Sequence, residues 1–429
     1  MNRRDFLLGS SALGLTFTNG NISFADPKKL DWKTGPLDVR WDDERKVWTR
    51  KDTAVIYLFL SGGATHIETF NPIPNAPSDR RSTTGYINTN AAGMKFGGLF
   101  KNLANHGDKI TNFHSFHHRD ANHDSAQHWV MTGEANFGAG TTQKWPSYGS
   151  VTSGFHGTNA DNGLPTYIKV NGLRHDDAAW MGGKYTGYDA TREGRKDLRL
   201  LGNDVGFQKK LKILSLLEHN YKAKDQQMAK SWNDLKEQAV NVIMGEASKA
   251  FKIEEDKEYD DYKADNFGKD ILTSIRLIEA GSKFVTLNYG GWDMHNGIQN
   301  SLNNRQTALD NYLSKLIMTL EKRGLYEKVM LVVTSEFGRT PKINGNAGRD
   351  HWARLIPLII SNGAYDMGRV VGKSTANAEE VDQNPVTPED LRWTIFDHLG
   401  IDKRMSWTAI DGRPHYLVKE GAKNILTEI

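Results

Sequence analysis

Apolar residues fall along this chain in two rhythms, short unbroken runs and longer stretches where they recur every three or four positions. Four runs stand out: Thr53–Leu60 (TAVIYLFL), Lys283–Asn288 (KFVTLN), Val329–Thr334 (VMLVVT) and Leu355–Ser361 (LIPLIIS). A strand covered on both faces has no polar side to alternate with, so such runs predict buried strands of a parallel sheet. Leu302, Leu309, Leu313, Leu316 and Leu320 make one helical stripe that ends near Gly324. Thr387-Pro388-Glu389-Asp390 offers a hydroxyl cap, a proline at the first position and acids in the first turn. The helix it starts carries Leu391, Ile395, Phe396 and Leu399 and stops at Gly400. Residues 207–250 are polar, lysine-rich and helical by composition, which predicts one or two exposed helices. Strands alternating with amphipathic helices predict an α/β fold: a doubly wound, mainly parallel sheet flanked by helices.

No repeat or low-complexity linker divides the chain, so 51–429 reads as one α/β domain, preceded by a polar lead-in at 26–50. Residues 1–25 read as a twin-arginine signal peptide. Arg3-Arg4-Asp5-Phe6-Leu7 carries the arginine pair, and a weakly apolar, glycine-softened stretch from Leu7 to Phe17 follows. Ser23-Phe24-Ala25 supplies a small-x-small cleavage pattern and predicts a mature start near Asp26. The expectation is export by the twin-arginine machinery to the periplasm or beyond. No other apolar run approaches the ~18 residues of a membrane span, so the protein is not expected to be an integral membrane protein.

Composition narrows the chemistry. The chain has no cysteine, which removes disulfides, thiolate metal ligands and a cysteine nucleophile together. A metal must then be held by His, Asp, Glu, Asn or backbone oxygen. The formal net charge is only +3 and both signs are scattered, against a nucleic-acid surface.

Chemically capable residues cluster beside the four runs. After the first stands Gly62-Gly63-Ala64-Thr65-His66-Ile67-Glu68, after the second Gly290-Gly291-Trp292-Asp293-Met294-His295, and after the third Ser335-Glu336-Phe337-Gly338-Arg339-Thr340. Gly348-Arg349-Asp350-His351-Trp352 shortly precedes the fourth. In doubly wound sheets the site lies at the carboxyl ends of the strands, so these clusters are expected to share one site. Eight of the fourteen histidines fall from His66 to His156. Within them Asn122 and His123 are candidates, while His117 and His118 read equally as ligands or as histidines bonded to backbone.

Leu60-Ser61-Gly62-Gly63, Phe70-Asn71-Pro72, Asn122-His123 leading to Thr132-Gly133, and Gly291-Trp292-Asp293-Met294-His295 occur in this order. They are followed by Glu336-Phe337-Gly338-Arg339-Thr340-Pro341, Gly348-Arg349-Asp350-His351-Trp352 and Gly412-Arg413-Pro414. Together they resemble the twin-arginine-exported domain-of-unknown-function family 1501 over roughly residues 50–420, a family placed with the alkaline phosphatase and sulfatase superfamily. The resemblance implies that fold, one or two metal ions at the strand ends, and transfer of phosphoryl or sulfuryl groups. By motif, Asp293 and His295 resemble the aspartate-histidine pair of one metal site and His351 its late histidine. Glu336 stands at the acid of an Asp-His-Gly motif whose histidine is replaced by Phe337. Ser61-Gly62-Gly63 stands where the first strand would end in aspartate, and His123 occupies the place of the nucleophile.

These observations lead to an exported hydrolase of phosphate or sulfate esters, with one divalent ion (zinc, manganese or calcium) on Asp293, His295 and His351. Arg339 or Arg349 would clamp the oxyanion. Glu336 would be a further ligand or general base, and His123 acid, base or nucleophile. His66, Glu68, Asn122 and Asp350 form a second tier. Trp292, Trp352 and Trp180 could stack on the sugar of a carbohydrate-linked ester or serve equally as loop-packing residues. The other reading is a non-catalytic exported binding or scaffold protein whose metal site is degenerate or purely structural.

Overall fold

The computed structural model describes residues 52–136, 143–160, 162–190, 246–408 and 413–429, with three short strands at Leu15–Thr18, Asn21–Phe24 and Leu37–Asp38. Those strands apart, the signal peptide and the lead-in lie outside the described residues. So do the helices expected over 207–250, except for a 3-10 turn at Glu246–Phe251, and so does Gly412.

Among the described residues, eight strands form the central sheet: β1 (Ala54–Phe59), β2 (Thr111–Phe113), β3 (Tyr167–Val170), β4 (Tyr188–Asp189), β5 (Phe284–Asn288), β6 (Val329–Thr334), β7 (Leu358–Ser361) and β8 (Arg369–Val371). Their spatial order is β8-β2-β7-β6-β1-β5-β3-β4. Every pairing is parallel except those of β7, which runs antiparallel to both β6 and β2. The expected parallel strand over 355–361 is thus shorter and reversed. That reversal explains a feature of the sequence. The Gly348–Trp352 cluster precedes its strand because the beginning of an antiparallel strand lies at the end where its neighbours finish.

Among the described residues, five principal helices cover the sheet: α1 (His123–Thr132), α2 (Tyr148–His156), α3 (Asn266–Glu279), α4 (Ile298–Lys322) and α5 (Pro388–His398). The side chains of β1 alternate between two cores. Ala54, Ile56 and Leu58 meet α3 and α4 on one face, and Val55, Tyr57 and Phe59 meet α1, α2 and α5 on the other. The architecture is a doubly wound α/β sandwich, as its hydrophobic rhythm predicts. Thr387 caps α5 as expected, and Asp390 completes a capping box with it. The leucine stripe from Leu302 to Leu320 lies buried along α4.

The middle of the sheet positions the site. β5 and β6 flank β1, so residues just beyond the three strands emerge side by side. Gly62 has φ +111°, and a Cβ there would lie 2.6 Å from the Asp293 amide nitrogen. Only glycine combines that backbone with so close an approach.

Candidate metal centre

Asp293 projects from the loop after β5. Trp292 anchors the loop, wholly buried, with its indole N–H donating to the Tyr289 carbonyl at 2.9 Å. The Asp293 side chain is 49 % exposed, so it is open to solvent. Burial alone would raise its carboxyl, but the hydrogen bond and charge of Arg339, with His351, outweigh burial and hold it at about 2.

Three histidines reach this carboxylate from different elements. His123 is the first residue of α1, whose cap Asn122 accepts from the amides of Asp124 and Ser125. Its Nδ1 donates to Glu336 Oε1 at 2.8 Å, leaving Nε2 3.5 Å from Asp293 Oδ2. That bond to Glu336 raises the His123 pKa. His351 sits on a short antiparallel pair, Gly338–Arg339 with His351–Trp352. Its Nδ1 donates to the Ala121 carbonyl at 2.9 Å, and its Nε2 lies 3.2 Å from Asp293 Oδ1. Burial and then the charge of Arg339 lower its pKa. His295 donates from Nδ1 to Asp350 at 2.9 Å, and its Nε2 lies 3.0 Å from both Asp293 Oδ1 and His351 Nε2.

The pattern is the same three times. Each Nδ1 faces an oxygen acceptor, so a neutral ring with its proton there turns an Nε2 lone pair toward one carboxylate. Metal-ligating histidines have this outer bond, which sets tautomer and ring direction. Lone pairs of His295 and His351 facing each other at 3.0 Å repel unless a cation or proton lies close by. One donor atom each from His123, Asp293 and His351 lie within 4.8 Å of one another, a grouping that could hold a metal ion.

Glu336 is the hinge of the arrangement and is almost wholly buried. Besides His123, its Oε1 accepts from the Gly62 amide at 2.7 Å, and its Oε2 accepts from Ser335 Oγ at 3.0 Å. Phe337 follows and packs its ring against His123 and His351, at 4.9 and 4.5 Å between centroids.

The other candidates lie differently. Arg339 is fully buried and its five N–H groups all have acceptors: Gly63 O, Gly62 O, Arg349 O, Asp293 Oδ1 and His295 Nε2. Arg349 is also fully buried, paired with Glu68 at 2.7 Å and donating to the carbonyls of Thr340, Pro341, Arg80 and Arg81. The expected oxyanion clamp therefore has no spare N–H on either residue. Glu68 serves this interior pair and stands apart from the donor cluster. His66 donates to the Ala378 carbonyl at 3.1 Å, and burial lowers its pKa to about 3. Asn122 acts as the cap of α1 and Asp350 as the acceptor behind His295. His117 and His118 are bonded to backbone, the latter donating to the Glu336 carbonyl at 2.7 Å. The tryptophans offer no common platform. Trp292 is buried, Trp180 stacks on His415 at 4.5 Å, and Trp352 donates to the Glu379 carbonyl. Sequence reasoning missed the Ala121 carbonyl and the Gly62 amide, since backbone groups leave no residue signature.

A family described as protein of unknown function (DUF1501) matches residues 52–429. The chain belongs to that family. A search of the curated proteins finds no match. Among solved structures, the chain is similar to the PsFucS1 sulfatase from Pseudoalteromonas sp., with 12 % identity, 90 % of this chain and 74 % of that one covered, and a TM-score of 0.41. It is similar to a phosphonate monoester hydrolase of Agrobacterium radiobacter at 9 % identity, covering 81 % and 74 %, TM-score 0.39. A mutant of TAB5 alkaline phosphatase aligns at 12 % identity over 81 % of this chain and 96 % of that one, TM-score 0.35.

Proposed function

We propose that this protein is an exported metal-dependent hydrolase of phosphate or sulfate esters. The observation that carries the reading is the convergence of anchored histidines on a solvent-open aspartate at the carboxyl end of a mainly parallel sheet. His123, Asp293 and His351 would hold one divalent ion. Calcium prefers all-oxygen surroundings, so two imidazoles with one carboxylate favour zinc or manganese. Such an ion supplies Lewis-acid polarisation of an ester oxygen.

The chain's own residues prepare the site for it. Glu336 keeps the His123 proton on Nδ1, and the Ala121 carbonyl does the same for His351. In the neutral rings both Nε2 atoms then carry the lone pair, aimed at Asp293. Arg339 keeps Asp293 ionised and fixed, acting on it as a positioning residue. Arg349 supports the loops from within. The twin arginines at Arg3 and Arg4 fit export in the folded state to the periplasm or beyond, after the ion has been acquired.

One observation favours a second reading, a non-catalytic protein whose ion only ties loops together. Both buried arginines of the region spend their N–H groups internally, so neither can grip an anion. Two measurements separate the readings. Elemental analysis of the purified mature protein is expected to find a divalent ion that Asp293→Ala and His351→Ala remove. Hydrolysis of aryl phosphates or sulfates is expected to vanish in both folded variants. A bound ion without such activity supports the structural reading, and metal-free wild-type protein ends both.

A further inference from the structure

Asp293 has the histidines of the donor cluster on one side. On its other side is the guanidinium of Arg339. That group is fully buried, while the Asp293 side chain is half exposed. Guanidinium carries five N–H donors in a fixed fork. Here they meet three carbonyls (Gly62, Gly63, Arg349), one carboxylate (Asp293) and one imidazole nitrogen (His295). Arg339 Nε lies 2.8 Å from Gly63 O, Nη1 3.0 Å from Arg349 O and 3.3 Å from His295 Nε2, and Nη2 2.5 Å from Asp293 Oδ1. These are acceptor atoms without exception, and of the kinds that ligate a hard or borderline divalent ion.

The backbone is shaped around this contact. Gly62 and Gly63 both have positive φ, at +111° and +80°, which turns their carbonyls toward the guanidinium. A Cβ on Gly63 would strike the Phe337 ring and come within 3.2 Å of Arg339 Nη2. A side chain ending the first strand here would compete with Arg339 for the same space. The backbone here is thus shaped around a buried guanidinium.

We infer that Arg339 is a resident cation filling a second ion position beside the donor cluster, so that the centre takes a single divalent ion with the guanidinium as its fixed companion. This rests on the reading that His123, Asp293 and His351 hold an ion. The guanidinium bonds Asp293 Oδ1, the oxygen that His351 also faces, and leaves Oδ2, on the His123 side, without a cation of its own. It also accounts for His295. Its Nε2 belongs to the arginine's acceptors, although motif resemblance puts it with the divalent ion.

The test is equilibrium dialysis of the purified mature protein against manganese, with elemental analysis of stoichiometry. Wild type is expected to hold one ion per chain, and His351→Ala none. Arg339→Ala removes the cation and leaves its five acceptors, so it is expected to hold two ions, the second lost again in Arg339→Ala/His295→Ala. Arg339→Lys, which keeps a cation in place, is expected to hold one. No ion in wild type refutes the donor-cluster reading. One ion in both wild type and folded Arg339→Ala refutes the resident-cation inference alone. If Arg339→Ala does not fold by itself, it is refolded in excess manganese or millimolar guanidinium. Recovery of native circular dichroism with either cation supports the inference, and failure with both overturns it.

Discussion

Replacing Arg349 by methionine tests whether this residue is part of the frame or part of the chemistry. Its guanidinium and the Glu68 carboxylate are both fully buried and meet at 2.7 Å, with a second contact at 3.2 Å. Glu68 also accepts from Thr65 Oγ1 at 2.6 Å and the Thr83 amide at 3.1 Å, so both its oxygens are engaged. Methionine fills much of the volume but leaves that charge unpaired, and four carbonyls lose a donor. Breaking a buried pair from one side costs about 3–5 kcal/mol, whereas an exposed pair is worth ~0–1 kcal/mol. Arg354–Glu380, with both side chains more than half exposed, is the internal control. Urea denaturation should therefore separate Arg349→Met from Arg354→Met by roughly 3 kcal/mol. Adding Glu68→Gln to Arg349→Met should recover part of the loss, because the stranded charge is gone. Metal stoichiometry of folded Arg349→Met should equal that of wild type, since only its backbone carbonyl contacts Arg339. A loss no larger than that of Arg354→Met, or loss of the ion without loss of stability, would refute this reasoning.

Glu336→Gln keeps the shape but removes the charge behind His123, and should weaken metal affinity about 10–100-fold in a chelator competition. An unchanged affinity would mean that His123 is not a ligand. Gly62→Ala forces a Cβ onto the Asp293 amide at φ +111° and should cost more than ~1 kcal/mol in urea, against near-neutrality for alanine at the open Gly345. Acid should destabilise the fold through its buried neutral histidines. Burial lowers His66 to about 3 and His114 and His118 to about 4. Their unfolded forms take up a proton first as pH falls, so this stability is complete above ~6.5 and declines toward 4. Each contributes a slope of up to about 1.4 kcal/mol per pH unit. Denaturation midpoints equal at pH 7 and pH 5 would contradict the burial of all three.

Legibility in the sequence followed from how local each cause is. A strand covered on both faces must be apolar throughout, so β1, β5 and β6 are visible as runs, and α4 and α5 as a stripe and a cap. The short strands β2, β3, β4 and β8, two to four residues each, are strands only because a neighbour's backbone pairs with them. The reversal of β7 likewise depends on its partners, since an apolar run carries no direction. The site divides in the same way. Residue types and their places beside strands were enough to nominate His123, Asp293, Glu336, Arg339 and His351, because chemistry needs those side chains and sheets gather strand ends. What each does was decided by contacts more than two hundred positions away in sequence: Glu336 behind His123, the Ala121 carbonyl behind His351, Glu68 against Arg349, and two glycine carbonyls around Arg339. A side chain's type is written in the chain. Whether its donors and acceptors are free or already spent depends on backbone that only folding brings near.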